Sequence, residues 1–180
     1  DGTNGQVLKT DGSGNLSFGA DTGGKILQVK QSVKTDTASS DSATFADVSG
    51  LSVSITPAST SNKILVECRV CTSGKGDSFQ AFKVLRDSTA LGLGTGASGN
   101  QLNISFGTQG ANATTHQYGI RYGVFSFLDS PSSTSALTYK VQFASVYQSY
   151  TSYINRPYST DNSNYNFFAS SSITVKEVAA

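Results

Sequence analysis

Two cysteines are the first residues in the chain with chemistry to offer. Cys68 and Cys71 form a CxxC. A redox or zinc site needs that motif at a turn or helix start, where both sulfurs converge. Here it lies within Ile64-Leu-Val-Glu-Cys-Arg-Val-Cys71, which alternates like a strand. Residues three apart on a strand point to opposite faces, with Cα atoms about 10 Å apart, too far for a disulfide. The spacing predicts Cys68 as a small core residue. No second CxxC follows, and His116 is the only histidine. That removes two-His metal sites and leaves a Ser-His-Asp triad without support. His116, in the polar stretch Asn112-Ala-Thr-Thr-His-Gln117, is expected on an exposed loop.

Gly94-Thr-Gly96-Ala-Ser-Gly99 matches GxGxxG. The dinucleotide fingerprint works because a strand feeds those glycines into a helix whose N-terminus holds the pyrophosphate. No amphipathic helix follows, so a surface loop is expected and no cofactor. Asp11-Gly-Ser-Gly-Asn15 and Asp161-Asn-Ser-Asn164 alternate oxygen side chains. Calcium takes about six to eight oxygens, and both stretches fall short and lack a closing Glu. Asn15, Asn103 and Asn112 stand in Asn-x-Ser/Thr sequons, which matter only on a eukaryotic secretory route. No acid/base pair and no nucleophile with its base stands out, so the chain is not expected to be an enzyme.

The stretch from Tyr147 to Asn166 is richer. Tyr147, Tyr150, Tyr153, Asn155, Arg156, Tyr158, Asp161 and Asn164 lie within about twenty residues. Aromatic faces stack on the apolar faces of sugars, while Asn, Asp and Arg hydrogen-bond hydroxyls. Tyr offers large contact area at low entropic cost. These eight are the candidate ligand-binding residues. The competing reading is that the tyrosines rim the core or pack against a neighbouring subunit.

The elements that must position them are strands. Ile26–Lys34 places Leu27, Val29, Gln31 and Val33 on one parity. Thr44–Val48 and Leu51–Ile55 are separated by Ser49-Gly50. Lys63–Thr72 and Phe79–Arg86 are joined by a hairpin-sized link. Further strands are expected at 102–106, Tyr118–Leu128, Leu137–Gln148 and Ser171–Val178. Phe125 and Phe127 fall on the face opposite Tyr122, Val124 and Leu128. Polar loops are expected at 107–116 and about 149–164. No segment shows a convincing helical period. Roughly ten short strands with turn signals every 8–12 residues predict an all-β fold, a jelly-roll-like antiparallel β-sandwich. Before it, Val7-Leu8 and Leu16-Ser-Phe18 flank Asp11–Asn15, a Gly-rich β-hairpin that buries too little to stand alone. Gly23-Gly24 divides the chain into a hairpin stalk, 1–24, and a sandwich domain, 25–180.

Composition agrees. The 180 residues include 29 Ser, 19 Thr and 18 Gly, with only 14% charged and a net charge of +1. That balance gives no footprint for nucleic acid. No apolar run of about 18 residues exists, so no membrane-spanning helix is expected. The chain has no Met, which predicts a processed product or the distal part of a longer chain.

Gly5-Gln-Val-Leu-Lys-Thr-Asp-Gly-Ser-Gly-Asn-Leu-Ser-Phe18 resembles the short glycine-rich segment that precedes terminal domains of tailed-phage fibre proteins. Ile26–Thr37, Phe45–Pro57, Ser61–Val66, Phe127–Pro131, Thr138–Phe143, Asn155-Arg156 and the ending Ser172–Ala180 resemble a domain of marine phage fibre and virion-surface proteins. The resemblance spans most of the chain and is weakest from Leu91 to Tyr118, where specificity is expected. It implies a trimeric β-structured tip on the virion surface. Such a tip would attach to other virion proteins through its N-terminal side and bind a host-surface receptor or glycan. It supplies no catalytic residues. Two other readings stay open: a capsid or neck decoration protein without a ligand, and a carbohydrate-binding module of a secreted enzyme.

Overall fold

The computed structural model describes residues 1–20, 25–75, 78–109, 118–147 and 150–180. The expected loop around His116, the Asn112 sequon and the Gly23-Gly24 boundary lie outside these residues. Two short strands come first, β1 (Gln6–Thr10) and β2 (Leu16–Ala20), paired antiparallel with Leu8 opposite Phe18. Their turn is organised by Asp11, whose carboxylate accepts hydrogen bonds from the Ser13 and Asn15 amides and from Asn15 Nδ2.

Eleven further strands follow: β3 (Ile26–Lys34), β4 (Ala38–Ser40), β5 (Ala46–Ile55), β6 (Lys63–Gly74), β7 (Phe79–Arg86), β8 (Thr89–Leu91), β9 (Phe106–Gln109), β10 (Arg121–Asp129), β11 (Leu137–Ser145), β12 (Ser152–Ile154) and β13 (Ser171–Val178). They make two antiparallel sheets. One runs β3-β13-β6-β10, with β12 taking over from β13 along the same edge of β6 and carrying β4 beyond it. The other runs β5-β11-β7, with β8 and β9 sharing the far edge of β7. The chain crosses between sheets from β4 to β5, β5 to β6, β6 to β7, β9 to β10, β10 to β11 and β11 to β12. The first and last long strands, β3 and β13, lie side by side. This is the wrapping of a jelly-roll sandwich.

The differences from expectation are local and have physical causes. β6 and β7 do not pair as a hairpin, because they belong to different sheets of the sandwich. The two strands expected around Ser49-Gly50 are one strand, β5, with a register shift where Gly50 takes φ +83°. Both Val48 and Leu51 thereby reach the core, although they are three apart. The strand expected at 102–106 begins only at Phe106, because the Ser105 hydroxyl and amide are already bonded to Leu91 and Phe82 carbonyls. The short strands β4, β8 and β12, three residues each, are too short for alternation to announce them.

Between the sheets sit the alternating apolar residues of β5, β6, β7, β11 and β13. Phe82 stacks between Phe106 at 4.6 Å and Phe143 at 5.2 Å. Phe125 and Phe127 close the core from the edge strand β10. At Gly123 a Cβ would stand 2.6 Å from the Phe106 ring, so only glycine lets β10 pass that close. β3 is inverted relative to the usual rule. Its apolar parity, Leu27, Val29 and Val33, faces outward, while Gln28 and Ser32 turn in to bond the Thr56 and Gly50 carbonyls of the β5 region. The inner face of this edge strand meets backbone carbonyls and, at Gln28, the Glu177 carboxylate, and these acceptors want donors.

Polar groups fasten the end of the sandwich where β3 enters. Glu177 is fully buried, and its carboxylate accepts hydrogen bonds from Gln28 Nε2 (2.6 Å), Asn62 Nδ2 (2.6 Å) and the Ala58 amide (2.7 Å). Nearby, Arg86 Nη1 donates to both oxygens of Asp129, which also accepts from the Tyr139 hydroxyl, all at 2.7 Å. Burial, with Asp129 beside it, pushes the Tyr139 phenol far above its ordinary range.

Burial pushes the Glu177 carboxyl up, but its hydrogen bonds from Gln28, Asn62 and Ala58 together outweigh that and hold it below its ordinary value of 4.5. A carboxyl depressed by folding contributes stability above its unfolded pKa and loses it as pH falls through the folded one. Urea titrations are therefore expected to show stability falling below about pH 4.5. Glu177→Gln should be about 1–3 kcal/mol less stable at pH 7 and show a shallower acid decline. An unchanged midpoint at pH 7 would refute this.

Candidate functional site

The eight candidate residues between β11 and β13 do not form one site; they fall into three groups. Tyr147 and Tyr150 stand edge to face, ring centres 6.3 Å apart, and Tyr147 meets Phe79 at the start of β7 at 5.7 Å. Lys75 lies 5.7 Å from the Tyr150 ring. On β12, Tyr153 is covered by the Arg156 guanidinium at 4.4 Å and neighboured by Tyr158 at 6.0 Å. In the third group Asp161 accepts from the Tyr118 hydroxyl at 2.7 Å and from Asn166 Nδ2 at 2.6 Å, and Tyr165 packs on Tyr118 at 4.6 Å. Hydrogen bonds from Ser163, Tyr118 and Asn166 hold the Asp161 carboxyl below its ordinary value. Asn164 is exposed.

Two of the eight are spent on the fold. Asn155 is fully buried in the left-handed region at φ +64°. Its Nδ2 donates to the Lys34 and Asp36 carbonyls, both at 2.9 Å, and its Oδ1 accepts from Ser171 Oγ at 2.6 Å. It thereby ties β3, β12 and β13 together. Arg156 donates to the Pro157 and Tyr158 carbonyls, and its own carbonyl accepts from Ser73. The stretch expected as one polar loop at about 149–164 is thus partly a paired strand and partly a tied turn. An alternating Ser-Tyr-Ile is too short a signal to reveal this.

All three groups nonetheless lie at one end of the sandwich. Register fixes this. Lys34, Gly74, Phe79, Arg121, Ser145 and Ser171 are the strand ends there. The opposite end carries Ile26, Ile55, Lys63, Leu137 and Val178. The chain enters β3 at that opposite end. The Ala180 amide, bonded to Asn62 Oδ1, lies beside it.

The tyrosine-bearing end also holds a cleft that no motif foretold, with a volume of about 530 Å³. Phe79 and Ala81 of β7, Gly107 and Gln109 of β9, and Val146 line it on one side. Asn100, Leu102 and Ile104, from the Gly-rich stretch after β8, line the other. Gln80, also at its wall, is fixed by Ser78, Ser152 and Thr108. The cleft is reached from the Tyr147 group through the Phe79 ring. A signal did exist: Leu102 and Ile104 are apolar residues in a stretch otherwise too polar to need them. Three further aromatics, Tyr165, Phe167 and Phe168, are exposed.

The cysteines sit as their spacing requires. Cys68 faces the core opposite Phe125 and Ile173, and Cys71 lies on the other face opposite Tyr122; both are free and buried. Burial pushes the Cys68 thiol up to about 12 and raises that of Cys71. Among the described residues no group of three or more His, Cys, Asp or Glu could hold a metal. No protein-family model and no curated protein matches the chain.

Two outcomes follow from this geometry. Asn155→Ala leaves buried carbonyls of Lys34 and Asp36 and the Ser171 hydroxyl without their partner, so it should cost about 2–4 kcal/mol in urea unfolding. Truncating exposed Asn164 in the same way should cost under about 0.5 kcal/mol. Neither thiol should react with Ellman's reagent at pH 8 until denaturant is added, since the thiolate is the reactive form. Rapid stoichiometric reaction of the native chain would contradict the burial of both.

Proposed function

We propose that the chain is the distal domain of a tailed-phage fibre or other external virion appendage, serving in adsorption to the host surface. One observation carries this reading: the polarity of the sandwich. The backbone enters at the Ile26 end, and the cleft and every tyrosine group sit at the other. β3 spans nine residues, so about 30 Å of rigid sheet separates the two ends. A tip domain needs that separation, with attachment behind and recognition loops ahead on a fixed scaffold. The resemblance of Gly5–Phe18 and of the later strands to phage fibre segments points the same way.

The outer face of the β3-β13-β6-β10 sheet supports self-association. Leu27, Val29 and Val33 at one edge and Val124 and Leu128 at the other are exposed, Val124 at 68%. The charged side chains between them are partly engaged within the chain. Lys176 pairs with Glu67 at 2.6 Å, and Arg69 stacks on Tyr122 at 3.8 Å. A face with apolar borders and few charges is suited to burial against identical neighbours. Three copies would multiply weak receptor contacts by avidity.

A second reading, a decoration protein without a ligand, draws on Asn155 and Arg156, whose polar groups are consumed by the fold. The test separates them. Light scattering at micromolar concentration should give three times the chain mass of 18.8 kDa. The fluorescent trimer should decorate some strains of a panel of marine bacteria and not others. A monomer argues against the fibre reading, and a trimer that decorates no strain favours decoration over adsorption.

A further inference from the structure

We infer that the cleft between β7, β9 and the stretch 100–104 is a binding site for a neutral saccharide; this rests on the adsorption reading and names the ligand class and the place. Its volume of about 530 Å³ lies within the roughly 300–1,000 Å³ of small-ligand sites. Its chemistry is two-sided. Leu102 is exposed at 51% and Phe79 at 40%, and Ile104 and Val146 extend the apolar wall. Phe79 is braced by the Tyr147 ring at 86°, so it presents a positioned face and not a mobile one. Around that wall stand the side-chain amides of Asn100 and Gln109, which make no hydrogen bond to another described residue. Each amide both donates and accepts, which is what a hydroxyl needs.

The deciding feature is charge. Among the described residues, every one that lines the cleft is uncharged. A phosphate, a sulfate or a carboxylated sugar would enter without a counter-charge, and an unpaired ion in a partly desolvated site is costly. A cationic ligand fails for the same reason. A purely apolar ligand would strip water from two amides and return nothing. A pyranose satisfies both halves, with its C–H face on Phe79 and Leu102 and its hydroxyls on Asn100 and Gln109. The walls come from two strands of one sheet and a loop tied to it. Ser105 bonds Leu91 and Val84, and Gly94 bonds Ile104, so the cleft exists before a ligand arrives.

The experiment uses the whole chain with methyl labels on Leu, Ile and Val. The probes are the methyl glycosides of glucose, galactose and mannose, together with N-acetylglucosamine. N-acetylneuraminic acid and glucose 6-phosphate serve as charged controls. At least one neutral probe should shift the Leu102, Ile104 and Val146 methyl signals saturably. Both charged sugars should bind at least tenfold more weakly. Leu102→Glu, at an exposed position, should weaken the neutral probe at least tenfold while leaving the thermal midpoint unchanged. Asn100→Ala with Gln109→Ala provides a second, uncharged variant with the same expected loss. No saturable shift by any neutral probe, or equal binding of charged ones, overturns the site. So does wild-type affinity in both variants. Cell decoration by both the wild type and Leu102→Glu overturns the site but leaves adsorption standing. No decoration by the wild type overturns adsorption itself.

Discussion

The sandwich depends on β6 having both of its edges filled. β10 takes one edge along nearly its whole length, while β13 and then β12 share the other. Its inward residues Ile64, Val66, Cys68 and Val70 can therefore form the floor of the core without a break. The division between β13 and β12 is the step that matters. β6 is longer than any single partner, so its last residues would expose unpaired amides if β12 did not arrive. Asn155 follows β12 directly and locks it to the ends of β3 and β13. The tyrosine-bearing end is thus built on the continuation of the core strand. The tyrosine-rich segment is anchored to the core strand β6 through β12.

Much of this was legible in the residues. Ile26–Lys34, Phe79–Arg86 and Ser171–Val178 stand where their alternation puts them, and the opposite facing of Cys68 and Cys71 follows from a period of two. The two sides of β10 were also readable, with Phe125 and Phe127 inward and Val124 and Leu128 outward. Pairing was not. Nothing in Ser73–Asp77 distinguishes a hairpin from a corner, because both need a short polar link. The choice is made by which distant strands fill the edges of β6. Strands of three residues such as β4 and β12 exist only because a neighbour's edge is open to them. The cleft is less legible still, since its walls are separated in sequence and meet only through the β7–β9 register.

The scarcity of charge takes on structural meaning here. Most described ionic groups are spoken for: Glu177 by three neutral donors, Asp129 by Arg86 and Tyr139, Asp47 by Lys140 and Gln142. Ser, Thr and Asn perform the fastening that ion pairs would otherwise do. Examples are the Ser78–Gln80–Ser152–Ser145 chain inside the tyrosine-bearing end and the Thr72–Thr108 contact between the sheets. Neutral hydrogen bonds are insensitive to ionic strength, whereas exposed ion pairs are screened. The neutral character of the cleft is one local case of a property shared by the whole chain.

The placement of β3 beside β13 has a mechanical consequence. A pull that enters at Ile26 and is resisted at the far end runs along the axis of β3. The rungs joining β3 to β13 lie across that axis. Such a load shears every rung at once, whereas a load across the strands would peel them one at a time. Gln31 to Thr174 and Ser32 to Gly50 add side-chain pins in the same zone. The sandwich is thus oriented with its strongest direction along the line from where the chain enters to where its loops gather.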